Sequence, residues 1–226
     1  MRYPNTMKYW LPLLFLLALA PISGPLDMAL AHYAQSVGTT PFFQFLFDWG
    51  PFPALLTTSL ASLAVMGSYL RPQWKKWRFP ALVLVGTMAI GAGVIVHAVL
   101  KDHWGRPRPR QVLALGGDLP FRPFYSPDFH APKLKSFPCG HCAMGAFFLA
   151  VGVLGTHYRR KKWALAGYSF GLFFWALLGI MRMAMEGHFL TDVLWAGAIM
   201  WWTALCLEAS LSRLEEQRES RKIRHQ

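Results

Sequence analysis

Long apolar stretches alternate with short polar ones along this chain, at a spacing that suits helices crossing a bilayer. The apolar blocks run to roughly 18–22 residues, close to the ~20 that a helix rising 1.5 Å per residue needs to cross a ~30 Å hydrocarbon core. Candidate spans cover approximately 9–23, 52–70, 79–100, 141–158, 164–182 and 188–207, each ended by proline, glycine or a charge cluster. No internal repeat, low-complexity tract or flexible linker separates them. The pattern predicts an all-α, polytopic membrane bundle of six transmembrane helices, a single domain over 1–226 with a short basic tail at 208–226.

Composition agrees with that reading. With 54% hydrophobic and only 15% charged residues, and a mean hydropathy of +0.29, the chain is unlike an ordinary soluble domain. The distribution of charge then sets orientation, because basic connections stay in the cytoplasm. Segment 71–78 carries Arg71, Lys75, Lys76 and Arg78, segment 157–163 carries Arg159, Arg160, Lys161 and Lys162, and the tail is basic. Segment 24–51 has no Lys or Arg, so it should lie outside and both termini inside.

One connection breaks the rule. Segment 101–140 should be external by counting spans, yet it holds Lys101, Arg106, Arg108, Arg110, Arg122, Lys133 and Lys135. Basic residues on the wrong side call for an anionic ligand. Nucleic acid is a poor candidate on an external membrane face, so the net charge of +12 combines an inside-facing majority with an outside cluster that binds an anion.

The first span has two readings. Met1–Lys8 is a weakly basic start, and Ala18-Leu19-Ala20 resembles a signal-peptidase site. The retained-helix reading treats Leu26–Gln35 as a short amphipathic segment at the outer interface.

Clusters with chemical potential fall at the external ends of spans 3 to 6. Lys101-Asp102-His103-Trp104-Gly105-Arg106-Pro107-Arg108-Pro109 presents cations on a proline-stiffened backbone. Lysine supplies a point charge and arginine a fork matched to phosphate oxygens; a collar gripping lipid headgroups would look the same in isolation. Phe137-Pro138-Cys139-Gly140-His141-Cys142 opens span 4, where backbone N–H groups and the helix dipole favour an anion and His141 can give a proton to a leaving oxygen. Arg182 to Asp192 contains His188 four residues before Asp192, a spacing that lets the carboxylate take the Nδ1 proton and frees Nε2 as a nucleophile. Six residues separate Arg182 from His188, which predicts a turn near Gly187.

Together these clusters resemble the type 2 phosphatidic acid phosphatase superfamily of six-helix membrane enzymes. The family pattern is Lys, six residues, Arg-Pro; then Pro-Ser-Gly-His; then Ser-Arg, five residues, His, three residues, Asp. Here it reads Lys101 to Arg108-Pro109, Pro138-Cys139-Gly140-His141, and Met181-Arg182 to His188 to Asp192. The resemblance implies that His188 attacks phosphorus with Asp192 orienting it, that His141 protonates the leaving group and later activates water, and that Lys101, Arg108, Cys139, Gly140 and Arg182 hold the phosphoryl oxygens. It implies no metal and no other cofactor.

Two positions depart from the pattern. Met181 and Cys139 stand where the family has serine. A thiol is a weaker donor than a hydroxyl, and losing one such bond costs about 1–2 kcal/mol of phosphate stabilisation. Cys139-Gly140-His141-Cys142 is also a C-x-x-C sequence at a helix start, similar to that of protein disulfide isomerases, but no β-α-β pattern precedes it. A membrane thiol–disulfide protein is therefore an alternative function; a disulfide in an oxidising compartment, or two reduced cysteines, are alternative states.

The resemblance implies a membrane lipid phosphate as substrate, of the lipid A, undecaprenyl pyrophosphate, phosphatidylglycerophosphate or phosphatidic acid class, in a bacterial inner membrane with the site facing outward. Transfer of the phosphoryl group to a second lipid would use the same intermediate. Segment 111–136 is expected to gate the choice, with Phe121, Phe124, Tyr125 and Phe129 as apolar contacts and Arg122, Lys133 and Lys135 as further cations.

Overall fold

The structure is a computed structural model that describes residues 7–131 and 133–224. Its helices are α1 (Met7–Val37), α2 (Pro41–Trp49), α3 (Phe52–Leu70), α4 (Arg78–Gly86), α5 (Gly140–Ala146), α6 (Leu149–His157), α7 (Lys161–Ala184) and α8 (Leu190–Arg224). A 3₁₀ turn at Pro72–Trp77 leads into α4, and a π-helical segment at Thr87–Lys101 continues it. Grouped by continuity, 6 helical stretches are long and apolar enough to cross a membrane: Met7–Val37, Pro41–Leu70, Pro72–Lys101, Gly140–His157, Lys161–Ala184 and Leu190–Arg218.

The spans agree in number and order with the hydropathy reading; the ends do not. The first helix runs to Val37, through the Ala18–Ala20 segment, so Leu26–Gln35 is not a separate interfacial helix. Asp27, Ala31 and Ala34 on it are buried against the rest of the bundle. Pro25, just past the expected end at residue 23, does not stop the helix; Pro12, Pro21 and Pro25 all lie within it. The tail from 208 is likewise a continuation of α8 as far as Arg224. The weakly basic start lies mostly outside the described residues, as do residues 225–226.

Lipid offers no hydrophobic drive for helix association, so close backbone approach and polar pairing must supply it. α6 and α7 meet through Gly152 and Gly167, where an added Cβ would strike the facing backbone or Tyr168. The amino end of α1 is tied to α8 by the indoles of Trp201 and Trp202, which donate to Lys8 O and Tyr9 O at 3.0 and 2.9 Å. The connection from Asp102 to Cys139 folds over the opposite end, on Phe124, Phe137 and Trp195, whose rings pack together. All the family-pattern residues lie at that end.

Candidate active site

The turn between α7 and α8 builds the centre. α7 stops at Ala184, and Glu186 takes a left-handed conformation (φ 51°) that reverses the chain, one residue before the glycine expected to do so. Gly187 serves by close approach instead: the Arg182 guanidinium lies against it where any Cβ would stand. His188 follows outside any helix, and α8 begins only at Leu190. His188 and Asp192 therefore do not share a helix, as their spacing suggested. They meet because Phe189 is the N-cap and its N–H donates to Asp192 Oδ2 at 2.9 Å, which folds the carboxylate back over the helix start. His188 Nδ1 then lies 3.6 Å from the same oxygen, an ion-pair distance longer than a hydrogen bond.

Asp192 is fully buried, and its remaining capacity is used. Ser136 Oγ donates to Oδ2 at 2.6 Å and Arg106 Nη1 to Oδ1 at 2.5 Å. Arg106 is itself buried, 1% exposed, and its Nη2 donates to Asp27 Oδ2 on α1 at 2.7 Å. Asp27 in turn accepts from the Thr191 N–H at 3.0 Å and the Thr191 hydroxyl at 2.6 Å. An N-cap phenylalanine has no side-chain acceptor for the first turn of its helix; a carboxylate from another span supplies one. Asp27, Arg106 and Ser136 are the participants that motif spacing missed. The available signal was an acid alone in a long apolar run, since intramembrane charges are costly unless paired.

The cations surround this pair. Lys101 ends the π-helical segment, and a side chain at Gly140 would fall 3.5 Å from its Nζ and 2.7 Å from His97 Nε2, so only glycine allows the start of α5 to sit there. The Cys139 N–H donates to Asp192 O at 3.1 Å, joining α5 to α8. His188 lies within the fields of Lys101 and Arg182, and His141 within those of Arg182 and Lys101. Burial, reinforced by Lys101 and Arg182 and opposed by Asp192, holds the His188 imidazole well below the usual histidine range, so it is neutral at physiological pH. Burial and then Arg110 also press Arg108 below its ordinary value, a crowding of cations that an anion would relieve. Among the described residues, Arg182 Nε and His188 Nδ1 are buried without hydrogen-bond partners. His188 Nδ1 faces Asp192, whereas a buried guanidinium nitrogen without a partner is rare in native structures and marks a place where a ligand's oxygen completes the set.

The cysteine pair and the 111–136 segment differ from the sequence-based expectations. Cys139 and Cys142 are paired as a disulfide with Cα atoms 5.3 Å apart, so Cys139 is not a thiol donor; its sulfur accepts from the Cys142 N–H at 3.3 Å. Both cysteines are wholly buried, which removes the access a thiol–disulfide exchange protein needs. Phe124 is buried against Phe137 and Trp195, and Phe121 packs edge-on to Phe189, so these rings build the connection rather than line its surface. Arg122 pairs with Asp128 at 2.9 Å and its carbonyl accepts from Arg106 Nε. Tyr125 and Phe129 are exposed.

With the geometry in view, comparison with known proteins decides the family. The sequence model of the PAP2 superfamily matches residues 80–214, which contain Lys101, Arg108, His141, Arg182, His188 and Asp192. The chain belongs to the PAP2 superfamily. It is 32% identical over 181 residues to the lipid A 4'-phosphatase of Francisella tularensis subsp. novicida (strain U112), covering 79% of this chain and 80% of that one. It is 32% identical over 142 residues to the lipid A 4'-phosphatase of Rhizobium leguminosarum, covering 62% and 57%. The fold is similar to the crystal structure of a transmembrane PAP2 type phosphatidylglycerolphosphate phosphatase from Bacillus subtilis, with a TM-score of 0.55 and 18% identity over 92% of this chain and 97% of that one. This PAP2 protein is an integral membrane phosphatase that acts on lipid phosphates in a bilayer.

Proposed function

We propose that the enzyme removes a phosphate from a lipid of the lipid A class, on the membrane face away from the cytoplasm, by way of a phosphohistidine on His188. The observation that carries the mechanism is the neutral, buried His188, with Nδ1 turned toward Asp192 and Nε2 left free among cations. The Nε2 lone pair attacks phosphorus, and the P–O bond to the lipid breaks with its electrons on the leaving oxygen. His141 gives that oxygen a proton, so the lipid departs as an alcohol. Water then loses a proton to His141 and attacks the phosphohistidine, breaking P–N and releasing inorganic phosphate. Lys101, Arg108, Arg182 and the Gly140 N–H meet the phosphoryl oxygens, and Asp192 balances the charge that His188 gains.

The substrate class rests on the relatives, lipid A 4'-phosphatases that align along most of this chain. Purified protein in detergent should release phosphate from lipid A faster than from phosphatidylglycerophosphate, undecaprenyl pyrophosphate or phosphatidic acid. Hydrolysis of one of the others with lipid A untouched would refute the assignment. Orientation has its own check. A membrane-impermeant thiol reagent is expected to label a cysteine introduced in segment 111–136 from outside, and one in 71–78 only after permeabilisation; the reverse pattern would put catalysis in the cytoplasm.

Cys139 bears on rate. Its sulfur lacks the hydroxyl hydrogen that serine carries at this position in the family pattern, so Cys139→Ser should raise turnover about fivefold, near 1 kcal/mol for one hydrogen bond. A variant no faster than wild type would show that phosphate does not use this side chain.

A further inference from the structure

The helical run from Pro41 to Leu70 contains a defect whose freed group lands on a catalytic histidine. In a regular helix the N–H of residue 51 would donate to the carbonyl of residue 47. Residue 51 is proline and has no N–H to give. The run nevertheless stays helical through the bend, with Gly50 N–H donating to Leu46 O at 2.8 Å and Leu55 N–H to Pro51 O at 3.1 Å. Phe47 O is released from the ladder, and it accepts from His141 Nε2 at 3.1 Å.

The side chain of the same residue touches both flanking groups of the site. The Phe47 ring stacks on the His141 imidazole with centroids 4.8 Å apart and planes 17° apart, and the Arg182 guanidinium sits 4.9 Å from the ring centroid. Gly50 permits the fit, because a Cβ there would run into Leu178, one turn before Arg182 on α7. Nothing in the family pattern includes α2, Phe47 or Pro51.

We propose that Pro51 is a positioning residue: by withholding a helix partner from Phe47 O it dedicates that carbonyl to His141, which leaves Nδ1 as the atom that moves the proton. A carbonyl oxygen only accepts, so Nε2 keeps its hydrogen in both protonation states of the ring. In the first step the Nδ1–H bond breaks and its proton joins the leaving oxygen as that oxygen takes the P–O electron pair. In the second, the Nδ1 lone pair takes a proton from the attacking water. A fixed ring spends no time in the wrong tautomer, and catalysis is sensitive to displacements of an ångström.

The inference rests on the reading of His141 as the proton donor, and the test separates the two. Pro51→Ala restores an N–H that competes for Phe47 O, and it also regularises a helix, so its thermal midpoint should be no lower than that of wild type. A general acid matters for a poor leaving group and little for a good one. On the lipid of the panel that wild type hydrolyses fastest, kcat/KM of Pro51→Ala, which reports the step that expels the leaving group, should fall at least about tenfold, while on p-nitrophenyl phosphate it should stay within about threefold. His141→Ala should show the same leaving-group dependence more strongly. Pro53→Ala, which returns an N–H to Trp49 O, a carbonyl used by no catalytic group among the described residues, should match wild type on both. Wild-type kcat/KM for Pro51→Ala on the lipid, or an equal loss of kcat/KM on both substrates, would overturn the proposal. If His141→Ala itself shows no leaving-group dependence, the proton-donor reading falls first.

Discussion

His188→Ala is expected to bring phosphate release to background in a protein that still folds, and Asp192→Asn to lower turnover on the order of 10³–10⁴-fold. The first removes the nitrogen proposed to attack phosphorus. The second is isosteric, and its fate can be read from the network around it. Arg106 keeps its partner Asp27 when the Asp192 charge is gone, so the buried guanidinium is not left uncompensated, and the Ser136 and Phe189 donors still find an oxygen. What is lost, on the proposed mechanism, is the charge that orients His188 and stabilises the phosphorylated ring. Activity assays on monodisperse variants check both. Normal turnover by a folded His188→Ala protein would end the phosphohistidine account.

The second large effect concerns Arg182. Arg182→Lys should reduce kcat by about 10²–10³, the loss that follows removal of one preorganised donor for developing phosphoryl charge. Lysine keeps the charge but not the planar fork, and it cannot lie flat over the Phe47 ring while reaching past Gly187. Gly187→Ala should imitate it without removing a charged group. The new methyl would occupy the space of the guanidinium, which must swing away from the site. Steady-state kinetics of the two variants side by side would check this. If Gly187→Ala were as active as wild type, the position of Arg182 in this structure would not be the catalytic one.

Part of the site around Arg182 is legible in the sequence, and part is not. The Arg182–His188–Asp192 spacing is local, so its chemistry could be read directly; the manner in which the residues meet could not. A helical i,i+4 face and an N-cap fold-back bring the same two side chains together, and only the left-handed Glu186 and the late start of α8 distinguish them. Cys139 shows the opposite case. Its place in the motif marked it as a phosphate donor, but its partner three residues on claims the sulfur.

The sequence by itself determined the number of spans, the family pattern and the end of the bundle where it lies, because hydropathy and motif spacing are properties of short windows. Tertiary structure alone decided what stabilises the catalytic groups. Arg106 finds Asp27 across 79 residues, Thr191 finds Asp27 across 164, and His141 finds Phe47 across 94. No periodicity records such pairs. In a bilayer, where water cannot satisfy a buried carboxylate, guanidinium or freed carbonyl, each such group must be completed by whichever helix packs against it, and the packing of the helices is what the chain folds to find.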